Sequence, residues 1–132
     1  MCIRDSLYRE DFPKLVFDTH MYLNFISGEL KENTSRYYAD FIFSRFLKEL
    51  EEASKHHPIL VGEWTLAHHQ GDQAQMNQDM SKNYMKAICS LQKMAYEISE
   101  GWIYFNYKVK DKTRLNWDLS HVIAKGFFER ID

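Results

Sequence analysis

The amino-acid sequence predicts an α/β fold built on a parallel sheet, and two patterns support that expectation. Three short apolar runs alternate with amphipathic stretches: Lys14 to Asp18 (KLVFD), Ile59 to Val61 leading into Gly62 and Glu63, and Trp102 to Tyr107 (WIYFNY). Each run is nearly continuous in bulky or β-branched side chains, as a parallel strand covered on both faces would be. The resulting order of strand, helix, strand, helix, strand, helix is that of repeated βαβ units.

The first run follows Pro13 and gives way to a loop containing Gly28 and Asn33. From Ser35 to Ser54 the apolar residues Tyr38, Ile42, Phe46, Leu50 and Ala53 recur every three or four positions with Lys and Glu between them, which predicts an amphipathic helix. Pro58 closes it, and the second run begins. Gln70 to Asp79 is polar and is expected to be loop or exposed helix. Ser81 reads as the N-cap of a helix with the stripe Tyr84, Ile88, Leu91, Ala95 and Ile98, ended by Glu100 and Gly101. Beyond the third run, a polar loop from Lys108 to Asn116 leads to a last helix, Trp117 to Lys125, closed by Gly126.

The chain has 132 residues, about one domain or less. Nine Phe, eight Tyr and three Trp exceed what burial alone requires, and aromatic rings also build sugar platforms and interfaces. Seventeen basic against nineteen acidic side chains, with no long run of either sign, argue against a nucleic-acid partner, which needs a concentrated basic face. No apolar stretch reaches the roughly 18 residues of a membrane-spanning helix. Cys2 and Cys89 do not make a disulfide framework. His56 with His57 and His68 with His69 are adjacent pairs whose members point in different directions, with no Cys or carboxylate completing a usual zinc spacing. They are expected to be solvated loop histidines, and no metal is expected. No Gly-rich phosphate loop follows any run, so no nucleotide cofactor is expected either.

Residues 1 to 6, MCIRDS, lack the basic start and apolar segment of a signal peptide. They resemble translated sequencing-adapter sequence, so they are expected to be non-native, with the native chain beginning upstream.

The pattern alone leaves a doubly wound sheet and part of a barrel both open. Polar and aromatic groups cluster after the C-terminal side of each run: His20 and Tyr22, then Glu63 and Trp64, then Asn106 and Lys108. In an α/β barrel those strand ends form the active-site face.

Taken in order, DTHMY at 18–22, VGEW at 61–64 and GWIYFNYK at 101–108 resemble glycoside hydrolase family 5, most closely its exo-β-1,3-glucanase branch. The resemblance runs from about residue 14 to 129 and includes W-D-L at Trp117 to Leu119 and G-F-F at Gly126 to Phe128. It implies that residues 7–132 are part of a catalytic domain, about strands six to eight of a TIM (β/α)8 barrel with their helices. It further implies retaining hydrolysis of β-glucan, with a lean to β-1,3-glucan, and a monomeric parent enzyme. Relatives are often secreted, and no compartment is assigned.

By the same resemblance Glu63, in the family's GEW or GEF motif, is the nucleophile. Tyr22 orients it, and His20 lines the same subsite. Phe105 stands where the family carries a Trp that closes the subsite floor, a departure that removes stacking area and an indole N–H. Either sugar binding is then expected to be weaker, or Trp64 or Trp102 compensates as a substrate-binding residue. The family's acid/base Glu, in an Asn-Glu motif on strand four, has no counterpart here, so this polypeptide alone is expected to be inactive. Two other readings stay open. One is a non-catalytic carbohydrate-binding relative. The other is an unrelated small α/β interaction domain, which wide separation of Glu63, His20 and Tyr22 would support.

Overall fold

A computed structural model describes residues 15–25, 35–68, 78–111 and 113–128. Expectations for Cys2, Pro13, Lys14, Gly28, Asn33, His69 and most of the polar stretch 70–79 fall outside the described residues. The protein is a mixed α/β structure around a parallel sheet of three strands in the order β1 (Phe17–Met21), β2 (Ile59–Trp64), β3 (Gly101–Tyr104). Between β1 and β2 run α1 (Ser35–Phe41), a π-helical segment (Ile42–Leu47) and α2 (Lys48–Ser54). The connection from β2 to β3 contains α3 (Gln78–Tyr96), and α4 (Leu119–Ala124) follows β3 after a 3-10 turn at Leu115–Trp117.

The helix expected over 35–54 is present, and its π segment has a physical reason. Its core residues Tyr38, Ile42, Phe46 and Leu50 are spaced by four, which overshoots the 3.6-residue α turn by about 40° per step. A wider π turn undershoots and returns the stripe to one face. All four side chains are buried.

Several boundaries move. β1 begins at Phe17, so the ladder runs through the polar residues Asp18 and His20 instead of ending at them. α3 starts at Gln78, which places Ser81 inside the helix and not at its N-cap; Ile98 lies past its end and is exposed. Trp117 sits in the 3-10 turn, and the last helix is instead capped by Asp118, whose carboxylate accepts from His121 N at 3.0 Å and Ser120 Oγ at 2.5 Å. Gly126 closes it with φ +67, a left-handed conformation that disfavours other residues.

Among the described residues the strands are covered on one face only. Val61 and Trp64 of β2 and Tyr104 of β3 point into the helix layer and are buried. On the other face Val16 is 51% exposed and Ile103 54%, because no helix among the described residues packs there. No helix among the described residues is long and apolar enough to cross a membrane.

Two buried phenols join the sheet to its surroundings. Tyr104 OH accepts from Leu66 N at 3.0 Å and donates to Asn116 O at 2.5 Å, and Tyr96 OH accepts from Gln92 Nε2 at 3.1 Å. Burial holds both phenols well above the ordinary tyrosine value. The folded state therefore keeps protons that the unfolded chain releases above about pH 10. This contribution to stability is fully present below about pH 10 and is lost progressively as the pH rises from there towards the higher folded-state value. Urea unfolding is expected to show stability falling above about pH 10, by up to roughly 1.4 kcal/mol per pH unit for each such phenol, and Tyr96→Phe is expected to make that slope shallower.

Candidate functional site

Parallel pairing sets Thr19 beside Val61, and then His20 beside Glu63, so β2 contains one extra residue at this point. The same strand pairs Val61 with Trp102 and Trp64 with Tyr104, three residues against two. The extra residue is a β-bulge around Gly62 and Glu63. Strict alternation from the buried Val61 would send Glu63 into the helix layer and Trp64 out of it. The bulge reverses both, and bulges commonly re-aim side chains in this way. Glu63 is 31% exposed and Trp64 fully buried.

Gly62 is required by a close approach. A Cβ built there would lie 1.9 Å from Asp18 Oδ1, so the missing side chain is what lets the Asp18 carboxylate lie against β2. Asp18 Oδ2 is 3.3 Å from His20 Nε2, and the other ring nitrogen, Nδ1, is 3.4 Å from Glu63 Oε2. Tyr22 OH donates to that same Oε2 at 2.5 Å. Burial and, after it, the bond to the Glu63 carboxylate hold the Tyr22 phenol well above its ordinary value, so it stays a hydrogen-bond donor across neutral and moderately alkaline pH.

Gly62→Ala is expected to swing the half-exposed Asp18 side chain off His20 at a stability cost of about 1 kcal/mol, one hydrogen bond's worth, measured by urea unfolding. A cost above several kcal/mol would mean that the backbone, not the carboxylate, has to move.

Glu63, Tyr22 and His20 are thus brought together, as the resemblance implies. Phe105 follows β3 on the uncovered face, 38% exposed, and stands edge-on to Trp117 at a ring separation of 6.2 Å. Trp64 and Trp102 are corrections. Trp64 packs against Tyr96, Trp102 and Tyr104 at 5.4, 5.5 and 4.9 Å, and Trp102 packs against Phe128 at 5.7 Å, so both rings belong to the core on the far side of the sheet. Neither ring shares the face on which Phe105 lies.

Two neighbours of the site, Asp18 in DTHMY and Trp117 in W-D-L, were given no role in it from the sequence. Asp18 had a usable signal, since it lies two positions before His20 on one strand and so shares its face. Trp117 had none in spacing or periodicity. It reaches the site only through tertiary structure, its indole 5.4 Å from the Tyr22 ring.

The histidine expectation is corrected in part. His56 is exposed, but His57 and His68 are buried: His57 packs edge-on against Phe17 at 4.6 Å, and His68 bonds Leu66 O through Nδ1 at 2.9 Å. Among the described residues no group of His, Cys, Asp and Glu is arranged to hold a metal ion.

Fold and site together define a parallel α/β unit with a Tyr–Glu–His cluster at the C-terminal end of its central strand. No protein-family model matches the chain, and no curated protein matches it significantly.

Proposed function

We propose that the chain is part of a retaining β-glycosidase acting on β-glucan, β-1,3-glucan foremost, with Glu63 as nucleophile. The observation that carries this reading is the 2.5 Å hydrogen bond from Tyr22 to Glu63 Oε2, on a carboxylate that also keeps contact with the open face of the sheet. In the proposed reaction Glu63 attacks the anomeric carbon as the glycosidic bond breaks, and an acid carboxyl protonates the leaving oxygen. Water, deprotonated by that same group, then attacks the glycosyl-enzyme and releases Glu63. Tyr22 orients the nucleophile and His20 lines the subsite. The acid/base residue is assigned to chain outside these 132 residues, and the 132 residues alone are proposed to have negligible turnover.

What supports a barrel segment, strands six to eight, is the strand order by sequence, the parallel pairing and, among the described residues, the packing of helices on one face while Val16 and Ile103 stay exposed on the other. Inner barrel faces are lined by side chains from all strands, and Val16, Leu60 and Ile103 are apolar groups suited to such a face. The proximity of Glu63, Tyr22 and His20 withholds from the interaction-domain reading the support that wide separation would have given it.

The test is laminarin hydrolysis by the full-length protein, with Glu63 intact and with Glu63→Gln. Release of sugar by the first and not the second supports the proposal. A folded protein that is inert in both forms would reject hydrolysis and favour the non-catalytic carbohydrate-binding alternative.

A further inference from the structure

Asp18 precedes His20 by two positions on β1, so the two side chains share the open face of the sheet. The fold makes room for the Asp18 carboxylate at one point. Any side chain at residue 62 would collide with it, a Cβ there lying 1.9 Å from Oδ1 and 2.7 Å from Cγ, and the bulge in β2 carries glycine at that position. The space does not serve packing, because the Asp18 side chain is 57% exposed. It serves a polar contact: Asp18 Oδ2 bonds His20 Nε2 at 3.3 Å.

The imidazole carries that contact onward. Its other nitrogen, Nδ1, lies 3.4 Å from Glu63 Oε2, and a rigid ring tethered at Cβ and held at Nε2 cannot turn its Nδ1 away. Hydrogen on both nitrogens presents a donor to each carboxylate. Tyr22 OH donates to the same Oε2 at 2.5 Å. Two groups on one oxygen set the rotation of the Glu63 carboxyl group and leave Oε1 to face the reacting carbon. Misplacing an attacking atom by about 1 Å can cost on the order of 10²-fold in rate, so a group that only aims it has a measurable effect.

We propose that Asp18 is a positioning residue: through His20 it holds the Glu63 carboxylate in the orientation for attack. It acts on the imidazole and not on the sugar. The effect on rate rests on the reading of Glu63 as nucleophile, whereas the hold of Asp18 on His20 stands on the geometry alone.

The experiment compares the full-length protein with its Asp18→Ala and Asp18→Asn variants by two readouts, laminarin hydrolysis and the ring-nitrogen NMR signals of His20, which are identified by their loss in His20→Ala. Asp18→Ala is expected to lower kcat by about tenfold and to leave KM within about twofold, the pattern of an interaction that matters only in the transition state. Asn keeps an acceptor oxygen, so Asp18→Asn is expected to stay within about threefold of wild type. In a His20→Ala background, Asp18→Ala is expected to change kcat by less than about twofold, because the path through the imidazole is already gone. The His20 ring signals are expected to move in Asp18→Ala while those of the other histidines stay in place. Unmoved His20 signals, an effect on KM in place of kcat, an Asn variant as impaired as the Ala variant, or full additivity with His20→Ala would each overturn the proposal. The ring signals are read without turnover, so an inert wild type in the hydrolysis assay rejects the glycosidase reading while the hold of Asp18 on His20 is still decided.

Discussion

Replacing Glu63 by Gln is expected to lower laminarin turnover by the full-length protein by about 10⁴-fold or more, the scale of losing a covalent nucleophile. Gln has nearly the same shape, and its amide oxygen still accepts from Tyr22, so folding and sugar affinity should change little. On the proposed reading, what disappears is the carboxylate's negative charge, and with it the nucleophilicity that would be directed at the anomeric carbon. A second readout separates this cause from simple disruption. In Glu63→Ala, azide anion can enter the vacated space and displace the protonated leaving group, giving a glycosyl azide of inverted configuration. Rescue by azide with that stereochemistry would identify Glu63 as the nucleophile. A Glu63→Gln protein that keeps more than about a tenth of its activity would remove it from that role.

The second large effect concerns stability. Trp64→Ala is expected to cost about 3–5 kcal/mol, measured as the shift in urea midpoint at constant slope. Trp64 is fully buried, with ring contacts to Tyr96, Trp102, Tyr104 and Phe128, so truncation leaves a cavity between the sheet and α3. Against a typical total of roughly 5–15 kcal/mol, that loss leaves little margin. Trp64→Phe should cost only about 1–2 kcal/mol, because a ring remains and because the indole Nε1–H it removes has no acceptor among the described residues. A Trp64→Ala protein as stable as wild type would show that this residue is not a core member. Adjacent residues are thus expected to act differently, Glu63 on chemistry and Trp64 on folding.

Much of the architecture was legible because periodicity is a local property. The apolar stripes at Tyr38 to Leu50 and at Tyr84 to Ala95 named the buried faces of the helices, and the β-branched and apolar run at Ile59 to Val61 named the central strand. The site was legible less evenly. Glu63, Tyr22 and His20 follow from motifs that fall at strand ends, and the parallel register then brings them together. Trp64 and Trp102 were misassigned because aromatic type alone does not say which face of a strand a ring occupies. His57 and His68 were misread for a related reason, since whether a loop histidine is buried depends on what packs over it.

By itself the sequence determined the alternation of strands and helices, the buried stripes of the long helical stretches, and a small set of polar groups near the ends of the strands. Only the tertiary structure decided which way those groups point. The bulge at Gly62 is invisible to a pattern of alternation, yet it turns Glu63 out and Trp64 in, because strand pairing and not sequence spacing sets the register. Trp117 is likewise placed beside Tyr22 by hydrogen bonds from Thr65, Tyr104 and Asn106 to its turn, contacts between residues far apart in the chain that no local propensity encodes.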